Sequence, residues 1–409
     1  MNDKLIVNVD KVKQVNTAAV YGMIDQLGPI SRVKVAEQSQ LAPASVTKIT
    51  RQLLATGLIK EVAQQASTGG RRAISLMTEQ SHYYFISVRL GRGTMDISLF
   101  DLSGISHAHS NLGVPEVEQD ALVNTLLNNI DSFIQQHLEA SQNLIAVAVT
   151  LSGLVNPGEG TVVYTPHYQL RDCPLASLIE ARFSLPAYVG NDTRAMALAE
   201  HYFGATKDVL DSILISVHSG TGAGIIVNGQ VFMSQNRDVG EIGHIQVDPL
   251  GDKCQCGNVG CLETIVSNTA IVERLKTLIS QGCPSILQGD FSIEDVCAAA
   301  NQGDMLCHQV LHRVGKMLGN SIAITINLFH PQKIILAGEI MAAQNILLPT
   351  IKQCIEHQAL SSFAEDLPIE AAHFQNNPTM GGLALVKRAL LNGSLLIRLI
   401  NEKAQQIEQ

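Results

Sequence analysis

Three cysteines and a histidine crowd into residues 241–263, EIGHIQVDPLGDKCQCGNVGCLE, a stretch without a long apolar run. His244, Cys254, Cys256 and Cys261 offer four soft ligands, the number that a closed tetrahedral zinc site needs. Glycines at 251, 257 and 260 let the loop turn tightly around an ion. A loop of free thiols or a single redox pair is the alternative. The Cys-x-Cys step, with a third cysteine and an imidazole nearby, speaks against it. With all four positions supplied by the protein, no place is left for a reactive water, so a structural zinc is expected rather than a hydrolytic one. Cys173, Cys283, Cys297, Cys307 and Cys354 are scattered among apolar neighbours and read as small core residues.

The second set of chemically suited residues lies near the start of the chain. Ser45, Thr47, Lys48 and Arg51 share the outer face of the segment SVTKITRQLLATG, whose inner face carries Val46, Ile49 and Leu53. Polar side chains on such a helix reach base edges in a major groove, and cations reach phosphates. Two earlier helices are needed to hold it. Val12, Val15, Ala19, Val20, Met23, Ile24 and Leu27 recur at helical steps up to Gly28-Pro29, and Ser31 can cap a short helix with Val35 and Ala36 inward. The third helix starts near Pro43 and closes at Gly57. LIKEV and AISLM then read as two strands joined by AQQASTGGRR, a wing whose Arg71 and Arg72 can reach phosphates or a narrow minor groove. A helical bundle with a solvated basic face is the bland alternative. Charge favours DNA: residues 1–72 hold 10 Lys and Arg against 5 Asp and Glu, whereas the rest holds 18 against 32.

The 409 residues exceed one ordinary core, and no stretch approaches the ~20 apolar residues of a membrane span. The first residues do not read as an export signal, so the cytoplasm and reduced thiols are expected. Beyond the head, strands and helices alternate, which argues an α/β body. Two segments look alike: YYFISVRLGRGTMDISLFDLSG at 83–104 and SILISVHSGTGAGIIVNGQ at 212–230, each with ISV, a glycine turn and another apolar strand. Such a duplication builds two lobes, each offering backbone N–H groups to phosphates.

GNDTRAMALAE at 190–200, SGTGAG at 219–224, EIGH at 241–244 and CQCGNVGCLE together resemble the ROK family of sugar kinases, repressors and open reading frames. The resemblance implies an N-terminal winged helix-turn-helix followed by a two-lobed actin-like body. It places the winged domain at 1–80, the first lobe at 81–192 plus about 381–395, and the second lobe at 193–380 plus the C-terminal tail. It implies that the four-ligand loop binds structural zinc, and that Asn191, Asp192, Glu241, His244 and Glu263 hold the hydroxyls of a hexose. In the family's kinases the matching Asp takes the sugar proton. Here Asp192 could equally cap the helix that follows it. The head and the tail segment NGSLLIRLI resemble the family's glucose-responsive repressors. That likeness implies operator DNA, a dimer or tetramer, and release by the dephosphorylated B domain of a membrane glucose transporter of the phosphotransferase system, which would draw the repressor to the membrane. A hexose or hexose phosphate is the alternative inducer.

A kinase reading fails at the first turn. Family kinases resemble D-x-G-G-T, and this chain has RLGRGT at 89–94, with Arg89 or Leu90 near the Asp position and Arg92 replacing a glycine. Without that carboxylate, magnesium is not positioned against the transferring phosphoryl group, so no enzyme is expected. The apolar tail ALLNGSLLIRLI around Arg398 should be buried, within its own lobe or against another subunit.

Overall fold

The computed structural model describes residues 9–63, 74–115, 118–139, 143–233 and 239–408. The head comprises α1 (Val9–Leu27), β1 (Ile30–Ser31), α2 (Arg32–Ser39), α3 (Pro43–Thr56), β2 (Ile59–Ala63) and β3 (Ile74–Thr78). Its local signals act as the sequence predicts. The Ser31 hydroxyl accepts from Lys34 N at the start of α2, and Gly57, at φ +76°, closes α3. Val35, Val46 and Leu53 are fully buried between the helices. The strands β2 and β3 pair antiparallel as a wing, with β1 on the far edge of β3. Arg71 and Arg72, at the expected wing tip, lie outside the described residues.

The buried stripe of α1 differs from the expected one. Thr17, Val20, Tyr21 and Ile24 face inward, while Val12 and Val15 are 42% and 54% exposed and Leu27 also faces outward. The apolar periodicity located the helix but not its rotation.

The first lobe follows with β4 (Tyr83–Leu90), β5 (Thr94–Asp101), β6 (Ser106–Gly113), α4 (Gln119–His137) and β7 (Asn143–Leu151). A small sheet of β8 (Leu154–Asn156), β9 (Thr161–Tyr164) and β10 (Arg171–Cys173) precedes α5 (Leu175–Phe183) and β11 (Ala187–Asn191), after which α6 (Asp192–Phe203) opens the second lobe. The second lobe holds β12 (Ser212–Val217), β13 (Thr221–Val227), β14 (Gln230–Val231), α7 (Glu263–Val266), α8 (Asn268–Ser280), α9 (Ile293–Asn301) and α10 (Met305–Phe329). It continues through β15 (Lys333–Ala337), α11 (Gln344–Gln358), α12 (Ser361–Ala364) and β16 (Ile369–Ala371), before α13 (Met380–Leu391) and α14 (Ser394–Glu408).

The duplication seen in the sequence is a duplication of topology. One sheet runs β11-β7-β4-β5-β6 and the other β14-β13-β12-β15-β16. In the first, β4 pairs antiparallel with β5 and parallel with β7; in the second, β12 pairs antiparallel with β13 and parallel with β15. Both ISV triplets thus lie on the central strand of a sheet. The central strand of each sheet is buried on both faces, with Ile86, Val88 and Ile130 in one core and Ile213, Ile215 and Leu311 in the other.

The chain forms two compact units, one from residues up to 190 together with 382 onward, the other from 191–381. The tail therefore corrects the expectation that put it with the second lobe. It is two helices rather than one, because Gly393 at φ +82° breaks ALLNGSLLIRLI between α13 and α14. The helix α14 packs on α1 and α3 of the head, burying Leu395 and Leu396, and Arg398 pairs with Glu180 at 3.2 Å.

Candidate metal centre and ligand site

His244 ends a single 3-10 turn, Ile242–His244, and the cysteines follow on a loop pinned back on itself. Gln246 bridges Cys261 and Lys253 bridges Val259, and Cys254 N–H donates to the Asn258 carbonyl at 2.7 Å. Gly260, at φ +67°, is required there: a Cβ on it would sit 1.5 Å from the Asp248 carbonyl oxygen. The four ligand atoms of His244, Cys254, Cys256 and Cys261 lie within 4.8 Å of one another. Cys256 Sγ is 3.7 Å from Cys261 Sγ, and Cys254 Sγ is 3.6 Å from His244 Nδ1. A tetrahedral cage with metal–sulfur bonds near 2.3 Å has edges of about 3.8 Å, so the donor set fits a metal ion. Burial pushes the Cys254 thiol up and Cys261 to about 12, whereas the backbone at Asn258 lowers Cys256. A cation is what would draw the buried thiols into the thiolate form.

The residues matched to a sugar site converge on the same region. Asn191, at the end of β11, is the residue that caps α6, its side-chain oxygen accepting from Arg194 N at 3.1 Å. Asp192, expected as the possible cap, is instead the first helical residue and accepts from Thr193 N at 2.9 Å. Glu241 is reached through Arg194, whose guanidinium donates to it at 2.7 Å and to the Val239 carbonyl at 2.6 Å. Glu263 opens α7, and its carboxylate accepts from Thr221 N in the SGTG turn at 2.9 Å. Asn191 and Glu241 are thus joined through one buried arginine, Asp192 stands beside Asn191 at the start of α6, and His244 and Glu263 flank the metal loop. Sequence reasoning missed Arg194. Its signal was a cation inside NDTR, but its partner lies 47 positions downstream.

On the head, Ser45, Thr47, Lys48 and Arg51 are all exposed on α3, opposite its buried face. In the first lobe the glycine turn after β4 is stitched from within. The Tyr168 hydroxyl donates to the Gly91 carbonyl at 2.7 Å and accepts from Gly93 N at 3.0 Å. Arg89 stands opposite Asp96 in the β4–β5 register, and Leu90 is buried.

Among the described residues no helix is long and apolar enough to cross a membrane. The chain is 54% identical over 394 residues to the N-acetylglucosamine repressor of Shigella flexneri, covering 96% of this chain and 97% of that one. It is 38% identical over 402 residues to the DNA-binding transcriptional repressor Mlc of Escherichia coli, covering 96% and 98%. The crystal structure of a ROK family transcriptional regulator, a homologue of the Escherichia coli Mlc protein, superposes with a TM-score of 0.90 at 44% identity, over 96% of this chain and 100% of that one. The model of the ROK family matches residues 85–389, through both glycine turns and the metal loop, and the chain belongs to that family.

Proposed function

We propose that the protein is a sugar-responsive DNA-binding repressor of sugar uptake and utilisation genes, with a body that senses a hexose and performs no phosphoryl transfer. The observation that carries this reading is the exposed polar and cationic face of α3 on a winged head attached to a ROK body. Similarity over nearly the whole chain to repressors, head included, supports it. Ser45, Thr47, Lys48 and Arg51 read the operator, with Arg71 and Arg72 following the wing onto the backbone. One head covers only a few base pairs, so a homo-oligomer presenting two heads to a pseudo-palindrome follows.

The ligand is a hexose held by Asn191, Asp192, Glu241, His244 and Glu263. The 54% identity to an N-acetylglucosamine repressor favours that amino sugar, free or phosphorylated, over glucose. His244 turns Nδ1 toward the cage, so its other ring nitrogen is the one available to a ligand hydroxyl. The cage holds a structural zinc, which supplies cohesion to the loop bearing Glu241 and Glu263 and takes no part in chemistry. The Tyr168-stitched first turn, with Arg89 and Leu90 where the kinase pattern has an Asp, supports the absence of kinase activity. A second reading, release by a transporter B domain that draws the protein to the membrane, rests on the 38% identity to Mlc.

Titration of a repressor–operator complex with N-acetylglucosamine, its 6-phosphate, glucose and the purified transporter domain tests the choice. Release by either form of the amino sugar is expected. Release by the transporter domain alone would overturn it.

A further inference from the structure

The strands β12 and β15 run parallel, Ser216 opposite Ala337, and their carboxyl ends carry the SGTG turn and the sequence LAGE. Crevices at the carboxyl ends of parallel strands are where α/β folds hold ligands, and glycine turns there present N–H groups to phosphates. In this chain a carboxylate stands in that crevice. Glu339 Oε2 lies 2.6 Å from His218 Nδ1 and accepts from Asn268 Nδ2 at 2.7 Å. Its approach depends on Gly338, at φ +121°, because a Cβ there would sit 1.8 Å from the Val217 carbonyl oxygen. The Asn268 backbone N–H donates to the His218 carbonyl at 2.8 Å, so all three partners are fixed to the turn.

The charge on Glu339 is secure. Burial alone would raise its carboxyl, but the contacts from His218 and Asn268 prevail and hold it at about 2. The turn's own groups are also engaged: His218 N–H donates to Gly220 O at 2.9 Å, and Thr221 N–H to the Glu263 carboxylate at 2.9 Å. Two carboxylates therefore border one glycine turn. A nucleoside triphosphate entering this crevice meets carboxylate acceptors where it needs donors, since Glu339 occupies His218 and Asn268 and Glu263 occupies the Thr221 N–H.

We infer that Glu339, held by His218 and Asn268, is a built-in anion that closes the SGTG turn to the phosphates of a nucleoside triphosphate. This deepens the non-kinase reading, which rests so far on the first turn, by assigning the second turn its own exclusion device. It does not depend on which sugar binds.

The test uses the full chain and magnesium with the non-hydrolysable analogue AMPPNP, competed against a fluorescent trinitrophenyl-ATP probe. The samples are wild type, Glu339→Gln, Glu339→Gly and, as control, Glu356→Gln on the exposed face of α11. Wild type and the control should show no saturable displacement. Glu339→Gly should bind the analogue at least about tenfold tighter than wild type, with the isosteric Glu339→Gln between them. If the glycine variant fails to fold, the isosteric variant alone decides. Wild type saturating as well as the variants would overturn the inference, as would folded variants, checked by circular dichroism, that bind no better than wild type. Amino-sugar titration of the same samples reads the proposed ligand site separately, so loss of one signal does not mask the other.

Discussion

Lys387 on α13 donates to Asp25 on α1 at 2.6 Å, and both side chains are only 11% exposed. At that distance an effective dielectric constant near 20 gives a gross attraction of about 6 kcal/mol, most of which offsets the loss of two hydration shells. The pair therefore adds little net stability when intact. Removing one member is different, because it strands the other charge in a closed seam, and the expected cost is about 3 kcal/mol, the lower end for buried pairs. Around it, Gln14 Nε2 donates to the Asn392 carbonyl at 2.9 Å and Gly393 sits against the Gln14 backbone and Ala18, so the seam is continuous along α1. Lys387→Met keeps the aliphatic stem and deletes the charge. Hydrogen exchange read by mass spectrometry should then show protection in α1 and α14 falling by about a hundredfold, 3 kcal/mol being roughly two decades. Peptides of the second lobe should not change. Adding Asp25→Leu should recover most of the loss, because an apolar pair can fill the seam. A change of less than about threefold in α1, or a double variant as damaged as the single ones, would refute the view that this pair holds the head to the tail.

Purified protein should carry one zinc per chain by elemental analysis, and Cys254→Ala with Cys256→Ala should lower the melting temperature by roughly 10 °C, at about 2–4 °C per kcal/mol for a unit of this size. A metal-free double variant with unchanged melting would contradict the structural role. Arg51→Ala should weaken operator binding by about 1–3 kcal/mol and flatten its salt dependence, measured by fluorescence anisotropy at matched ionic strength. Asp304 caps α10 through Cys307 N and also accepts from Ser285 Oγ and Ile286 N at 2.7–2.9 Å. Burial would raise its carboxyl, yet these bonds hold it at about 2, below the usual 3.8. With the folded value depressed, its contribution is present above about pH 4 and fades as pH falls through about 2, whereas Asp304→Asn should remove much of it at neutral pH, at a cost of about 1–2 kcal/mol in thermal unfolding.

The features legible in the sequence are those written locally. Four ligands in one loop, a Ser cap and a Gly stop each depend on neighbours a few positions away, and the structure places them as expected. What was not legible depends on distant partners. The rotation of α1 depends on distant chain as well as on its neighbours: α14 packs on α1, and Gln14 donates to the Asn392 carbonyl 378 positions away. Apolar Val12 and Val15 consequently stay outside while the hydroxyl of Thr17 is buried. The cap of α6 was misassigned by one residue, since Asn and Asp are equally good caps and only the backbone decides which stands outside the helix. Glu339 stands next to Gly338 in the sequence, but its placement required His218, which only strand pairing brings beside it.

The connectivity of the chain constrains how a sugar can reach the DNA. The backbone passes between the two units at 190–191 and again at 381–382. The first crossing carries Asn191 and Asp192, the residues proposed to hold the hexose. The second lies in the first turn of α13, where Gly382 packs so closely on the first sheet that a Cβ would sit 2.0 Å from Ser87 Oγ. From there α13 leads to Lys387 and the seam with α1. A ligand that fixes the first crossing can influence the head only if the two units favour one arrangement over another when it is bound, since a ligand with equal affinity for both shifts nothing. For a hundredfold loss of operator affinity the difference must be about 2.7 kcal/mol. Opening the Lys387–Asp25 seam returns both charges to water and so costs little, which leaves that difference to the ligand's own preference between the two arrangements. The head then need not unfold, and α3 can keep its face while losing its place.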